Sequence, residues 1–268
     1  MSLNLEEIKA RQQVMWSSGD YAKTAWITVS LADLLCEAVE VRPGSNVLDV
    51  ASGTGHVALA AARRFAHVTS SDYVPRLLEV GRARAAAELL EITFAEADAE
   101  NLPFKDGSFD FVLSAIGAMF APNQEKVASE LTRVCRVGGR VGMINWTLTG
   151  FLADLFKTIA SHVPPPEGFK GPMLWGHEER VRELFDGKVS DLSFIYGSVP
   201  QHFISPDHFA DFMLTNYGPT LKAFESLNPE RRELFRADLV ALTARHNRAT
   251  DGSLTYDSNY VIVVATRS

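Results

Sequence analysis

The sequence predicts an α/β protein, a parallel sheet wrapped by helices on both faces and topped by a helical cap. Three observations carry this. From about residue 46, short β-rich runs alternate with helical segments. A glycine turn joins the first such strand to the first such helix, in the stretch VLDVASGTGHVAL, Val47 to Leu59. After Trp146 the rhythm changes, and between Ser205 and about Asn247 helices follow one another without strands. The 268 residues suit one large domain or one domain with an insertion, and 46% hydrophobic with 22% charged residues is ordinary for a chain with a sizeable core.

The elements follow in order. Residues 4–15 read as a short polar helix. Asp20 is placed to cap a longer helix running to about Val39, with Ile27, Leu31, Leu34 and Leu35 on one face. Arg42, Pro43 and Gly44 break it. Then come strand NVLDV, helix HVALAAARRF, strand HVTSS, helix VPRLLEVGRARAAAELL, strand ITFAEA, a loop through NLPFKDGS, strand FDFVLSA and helix NQEKVASELTRVC. Val137, Gly138 and Gly139 are expected to turn the chain into strand RVGMINW. FLADLFKTIASHV is an amphipathic helix, VPPPEGFKGPML a loop stiffened by its prolines, HEERVRELF a helix and VSDLSFIYGSVPQHF a long strand. Pro206, Pro219 and Pro229 stand near the starts of the cap helices, and TYDSNYVIVVAT closes the chain as the seventh strand.

Composition narrows the function classes. A net charge of −7 repels phosphate backbones and argues against nucleic acid as a partner. No apolar run approaches the ~20 residues of a membrane span, and no N-terminal stretch has the basic-then-apolar pattern of a signal peptide, so a cytoplasmic protein without membrane partners is expected. Cys36 and Cys135 lie in helical apolar patterns without a Cys or His at ligand spacing, so no metal site is expected.

The chemistry concentrates at the glycine turn. Open parallel sheets bind ligands beyond the carboxyl ends of their strands. Gly53 and Gly55 permit backbone angles and approaches that a side chain forbids. The spacing Gly53-x-Gly55-x-x-Ala58 satisfies a dinucleotide fingerprint and admits a nicotinamide-dependent oxidoreductase. Asp49, four residues before Gly53, opposes a pyrophosphate and suits a cationic ligand.

VLDVASGTGHVAL resembles the first motif of class I S-adenosylmethionine-dependent methyltransferases. SSDYVPRLL, AEADAENLPFKDGSFDFVLS and LTRVCRVGGRVGMINW resemble that family's later segments in the expected order, and NLPF…SFDFV is similar to its small-molecule branch, which includes ubiquinone and menaquinone biosynthesis methyltransferases. The first glycine of the family's D-x-G-x-G-x-G is Ala51 here, and the proline before the double glycine is Val137.

The resemblance implies a Rossmann-like, mostly parallel seven-stranded sheet with an antiparallel last strand, and S-adenosylmethionine as cofactor. It implies that Gly53 and Gly55 lie against the methionine part, with Ala51 in the same loop and Asp49 acting electrostatically. Asp72 would hold the ribose diol, Tyr73 would pack near the adenine, Asp98 and the Ala99 N–H would meet its edge, and Ser114 would line the floor. Trp16 and Tyr21 would belong to a lid. The expected organisation is a lid over 1–40, a core over 41–204 and 254–268, and a cap over 205–253. Met119, Phe120, Trp146, Trp175, Phe203 and Tyr217 are expected to line an acceptor pocket, and His177, His202 and His208 are the candidate bases. The expected reaction is in-line methyl transfer to O, N or C of a small organic acceptor by a monomer or homodimer. Its rivals are the oxidoreductase and a protein that holds the cofactor without turnover.

Overall fold

The computed structural model describes residues 4–268. Its elements in chain order are α1 (Leu5–Trp16), α2 (Tyr21–Thr24), α3 (Val29–Ala38), β1 (Asn46–Val50), α4 (His56–Ala62), β2 (His67–Asp72), α5 (Pro75–Ala87), β3 (Ile92–Glu96), β4 (Phe109–Ala115), α6 (Gln124–Val134), β5 (Cys135–Trp146), α7 (Phe151–His162), α8 (Glu178–Phe185), β6 (Val189–Phe203), α9 (Pro206–Asn216), α10 (Gly218–Ser226), α11 (Pro229–Ala244) and β7 (Leu254–Arg267). The seven strands form one sheet in the order β3-β2-β1-β4-β5-β7-β6, with the last strand antiparallel to the other six. No helix of the described residues is long and apolar enough to cross a membrane.

The chain divides into two compact units. One comprises residues 28–145, 170–196 and 261–268; the other comprises 1–27, 146–169 and 197–260, of which residues 1–3 lie outside the described part. The boundaries expected at 40, 204 and 253 differ from these. α3 belongs with the sheet, because Leu31, Ala32, Leu35, Cys36 and Val39 are buried there and Asp33 pairs with Arg64 of the α4 end at 2.7 Å. α7 belongs with the helices, packing on α11.

In the sheet unit β1 is the central strand. Val47 pairs with Val68 of β2 and Phe111 of β4, and Val47, Leu48 and Val50 are fully buried. A strand buried on both faces needs apolar residues without alternation, which NVLDV supplies except at Asp49. α4 is apolar all round and buried from Val57 to Ala62, the pattern of a core helix.

Three local expectations are corrected. The helix expected from Asp20 to Val39 is interrupted by a 3-10 turn at Ala25–Thr28, and the Asp20 side chain makes no cap bond. Leu34 is 42% exposed, because breaking the helix rotates the apolar stripe onto Leu31, Ala32, Leu35 and Cys36. The double glycine does not precede β5 but bulges within it: Phe109 pairs with Cys135, yet Phe111 pairs with Arg140.

In the helical unit, Ser205 and Asn228 cap α9 and α11, accepting from the N–H groups of His208 and Arg231 at 3.1 and 2.9 Å, and the three prolines occupy first-turn positions. Its core is aromatic. Phe151 stacks on Tyr256, and Phe203 and Phe209 pack around them with ring centroids 5.1 Å apart.

Candidate functional site

The loop after β1 is built from alternate left-handed residues: Ala51 at φ 51°, Gly53 at 54° and Gly55 at 80°. Gly55 is the N-cap of α4 and has no side chain with which to cap it. Asp49 does this instead. Its Oδ2 accepts the Ala58 N–H at 2.9 Å, so an acid inside the strand closes the first turn of the helix. Asp72, at the end of β2, accepts the Gly53 N–H on Oδ2 at 2.8 Å and the Val74 N–H on Oδ1 at 2.9 Å. It is therefore not the N-cap of α5, which is Val74. Both carboxylates are nearly inaccessible, Asp49 at 1% and Asp72 at 4%. Burial pushes the Asp49 carboxyl up to about 8, against the pull of the Ala58 N–H, and the Asp72 charge adds to the rise. Burial also pushes Asp72 up to about 6, opposed by the N–H groups of Gly53 and Val74.

Neighbouring residues fix the loop. Arg84 of α5 donates to the Thr54 carbonyl at 2.7 Å, and the Ser52 N–H reaches the Ser71 carbonyl at 2.9 Å. Gly117, just after β4, lies against Ala51; a Cβ there would run into the Ala51 carbonyl. Ser114 donates to the Val50 carbonyl at 2.7 Å and accepts from the Ala118 N–H at 2.9 Å, so its hydroxyl straps the ends of β1 and β4 together. Sequence reasoning passed over Arg84 and Gly117, because nothing in an isolated Arg or Gly signals a partner thirty or more residues away.

The Ala97 N–H bonds the Asp72 carbonyl at 3.0 Å, carrying the chain from β3 into Asp98, whose carboxylate accepts the Glu100 N–H at 2.9 Å. Ala99 is buried. Tyr73 is half-buried, and burial together with the charges of Asp72, Asp98 and Glu100 pushes its phenol well up. Asp49, Gly53, Asp72, Tyr73 and Asp98 thus gather at the carboxyl ends of β1, β2 and β3. The NLPF segment is held from α6: Glu130 accepts the Leu102 N–H at 2.8 Å, and Arg133 donates to the Leu102 and Phe104 carbonyls, both at 2.8 Å.

The remaining expected residues divide between the units. Met119 and Trp175 are buried in the sheet unit, where Phe120 also lies. Trp16, Tyr21, Trp146, Phe203 and Tyr217 belong to the helical unit, where Trp16 meets Tyr21 and Tyr217 edge-on at 5.5 and 6.1 Å. His177, His202 and His208 are all exposed. Two histidines not singled out from the sequence are paired with acids in the helical unit, His162 with Asp238 at 2.8 Å and His246 with Asp154 at 3.1 Å.

A family model described as a methyltransferase domain matches residues 48–143. An uncharacterized protein of Mycobacterium tuberculosis is 41% identical over 256 residues, covering 94% of this chain and 92% of that one. A demethylmenaquinone methyltransferase of Thermus thermophilus is 34% identical over 166 residues, 61% of this chain and 68% of that one. The crystal structure of the YcgJ protein from Bacillus subtilis shares the fold, with a TM-score of 0.59 at 20% identity over 88% of this chain and 98% of that one. The fold and the loop after β1 are those of a methyltransferase domain. The chain belongs to the class I S-adenosylmethionine-dependent methyltransferases, in the branch similar to the ubiquinone and menaquinone biosynthesis enzymes. It is an enzyme of methyl transfer, not the nicotinamide-dependent oxidoreductase that the glycine spacing also admitted.

Proposed function

We propose that S-adenosylmethionine is held by the carboxyl ends of β1 to β3 and that its methyl group passes to a small organic acceptor. The observation that supports this reading most directly is the pair of buried acids. Asp49 and Asp72 are each pushed toward the neutral form by burial, and the charge acting on Asp49 is the like charge of Asp72. Such a pair favours a cation and disfavours a pyrophosphate. The donor set also fits the nucleoside. Both Asp72 oxygens accept backbone N–H groups, and a carboxylate with about four acceptor sites keeps room for a ribose hydroxyl beside them. Gly53 and Gly55 leave bare backbone for the methionine part, and Tyr73 and Asp98 flank the adenine.

When bound, the cofactor supplies a methyl group activated by its sulfonium. The chain's part is to hold the two reactants in line and to exclude water. Asp72 fixes the nucleoside by its ribose, and the strap made by Ser114 keeps the ends of β1 and β4 in register, so the reacting centre is held relative to the β4–β5 side.

The experiment is calorimetry with S-adenosylhomocysteine and with NAD. Wild type should bind the first and not the second. Asp72→Ala should lose most of the affinity while its circular dichroism stays that of a folded chain. Unchanged affinity in Asp72→Ala refutes the ribose assignment.

A further inference from the structure

Asn145, at both Oδ1 and Nδ2, and Trp175, at Nε1, are polar side chains inside the sheet unit with no hydrogen-bond partner for these atoms among the described residues. Both residues are 0% exposed. Leaving a whole carboxamide unsatisfied in the interior is costly, and a leucine of similar size would avoid the cost. Folding alone does not account for an asparagine there.

Their place in the fold is specific. Asn145 stands at the carboxyl end of β5, one residue beyond Ile144, which pairs with Ala115 of β4. Side chains alternate along a strand, so Asn145 shares a face with Met143 and with its register partner Ser114. On that face Ser114 holds the turn Ala118–Phe120 through the Ala118 N–H, and this turn packs on the turn Pro172–Gly176 that carries Trp175. β5 lies two strands from β1, about 10 Å from the glycine loop at strand spacing. That separation suits a polar group on an acceptor held beyond the methyl.

We propose that Asn145 anchors the methyl acceptor through an oxygen-bearing group, a hydroxyl or a carbonyl, with the Trp175 indole N–H as a second donor. The proposal rests on the methyltransferase reading of the β1 loop. The chemistry of the unmet atoms selects oxygen over a cationic nitrogen. An indole N–H can be satisfied only by a lone pair, which an ammonium lacks, and the carboxamide brings no charge to balance one. A hydroxyl can both donate to Oδ1 and accept from Nδ2 or Nε1, which neither a carbonyl nor an ammonium can do.

The test uses the full chain saturated with S-adenosylhomocysteine and two flat probes that differ by one hydroxyl, 2-naphthol and naphthalene, titrated by fluorescence. Wild type should bind 2-naphthol at least tenfold more tightly. In Asn145→Leu that ratio should fall toward one, with S-adenosylhomocysteine affinity within twofold of wild type and the melting temperature equal or higher. Trp175→Phe, which removes the N–H and keeps the ring, should lower the ratio in the same direction without lowering the melting temperature. A falling melting temperature with an unchanged ratio would show a structural amide satisfied by internal water and would overturn the proposal. So would a wild type with no preference for the hydroxyl while S-adenosylhomocysteine still binds. Failure of wild type to bind S-adenosylhomocysteine would instead refute the underlying site reading, and the anchor with it.

Discussion

Asp49 has two roles at one atom group. One oxygen closes the first turn of α4, because Gly55 at the cap position has no side chain to do so. The price is a carboxyl held in the interior. Replacing it by asparagine keeps an acceptor for the Ala58 N–H and removes the charge. We expect Asp49→Asn to raise the melting temperature of the unliganded protein at pH 8 and to weaken S-adenosylmethionine more than a neutral adenosine, as calorimetry on the two ligands would show. Ala51 and Gly117 form a second residue-scale pair. A left-handed alanine costs roughly 1 kcal/mol, about what glycine loses through the flexibility it adds to the unfolded chain, so Ala51→Gly should be near neutral. Gly117→Ala is different, because its Cβ meets the Ala51 carbonyl, which is backbone and cannot be trimmed away. It should cost about 1–3 kcal/mol, and adding Ala51→Gly should not rescue it. Thermal melts of the three variants decide this.

At the scale of elements, the NLPF loop depends on α6. Glu130 has a side chain only 5% exposed, holds the Leu102 N–H and pairs with Arg133 at 2.7 Å, while Arg133 holds two loop carbonyls. The Arg133 partnership holds the Glu130 carboxyl below its usual range. Glu130→Ala leaves the Leu102 N–H without its acceptor while Arg133 keeps Asp106 at 2.7 Å, for an expected loss of about 1–3 kcal/mol. Hydrogen exchange should then speed up through residues 102–108 more than in β1. The same elements show where sequence patterns stop. NVLDV and HVALAAA are legible because continuous apolar runs identify a central strand and a core helix. The interruption at Ala25–Thr28 and the bulge at Arg136–Gly139 are not, because the apolar pattern runs on through the first and a double glycine reads equally well as a turn before a strand.

Across the whole molecule, pH should act on stability and on binding with opposite signs. Asp72 and Asp49 rise from an unfolded value near 3.8 to about 6 and about 8. Between those limits the folded chain holds more protons than the unfolded one, so these two groups favour folding at low pH and lose that contribution as pH rises from about 4 through 6 to 8. A cationic ligand prefers both ionised. S-adenosylmethionine affinity should therefore grow from pH 5.5 to 8.5, and binding at pH 7 should release protons. Calorimetry in two buffers of different ionisation enthalpy would measure the release, and a buffer-independent enthalpy would refute it. Glu125 and Glu130 work the other way: ion pairs with Lys170 and Arg180 bring the Glu125 carboxyl down to about 2 despite its partial burial, and Glu130 is lowered by Arg133, so their contribution is lost as pH falls through the lowered values.

The resemblance to a methyltransferase family carried the class of reaction, while the sequence by itself determined the seven strands, the glycine turn and the acids at the ends of β1 to β3. These are properties of short segments, where apolar periodicity and residue type decide the local structure. Only the tertiary structure decided that Asp49 caps α4, that Ser114 straps β1 to β4, and that Arg84 and Gly117 fix the loop. It also decided that α3 joins the sheet and α7 the helices, and that Asn145 and Trp175 are buried with polar atoms unmet. Each of these turns on which distant groups share a small volume, and neither periodicity nor spacing carries that information.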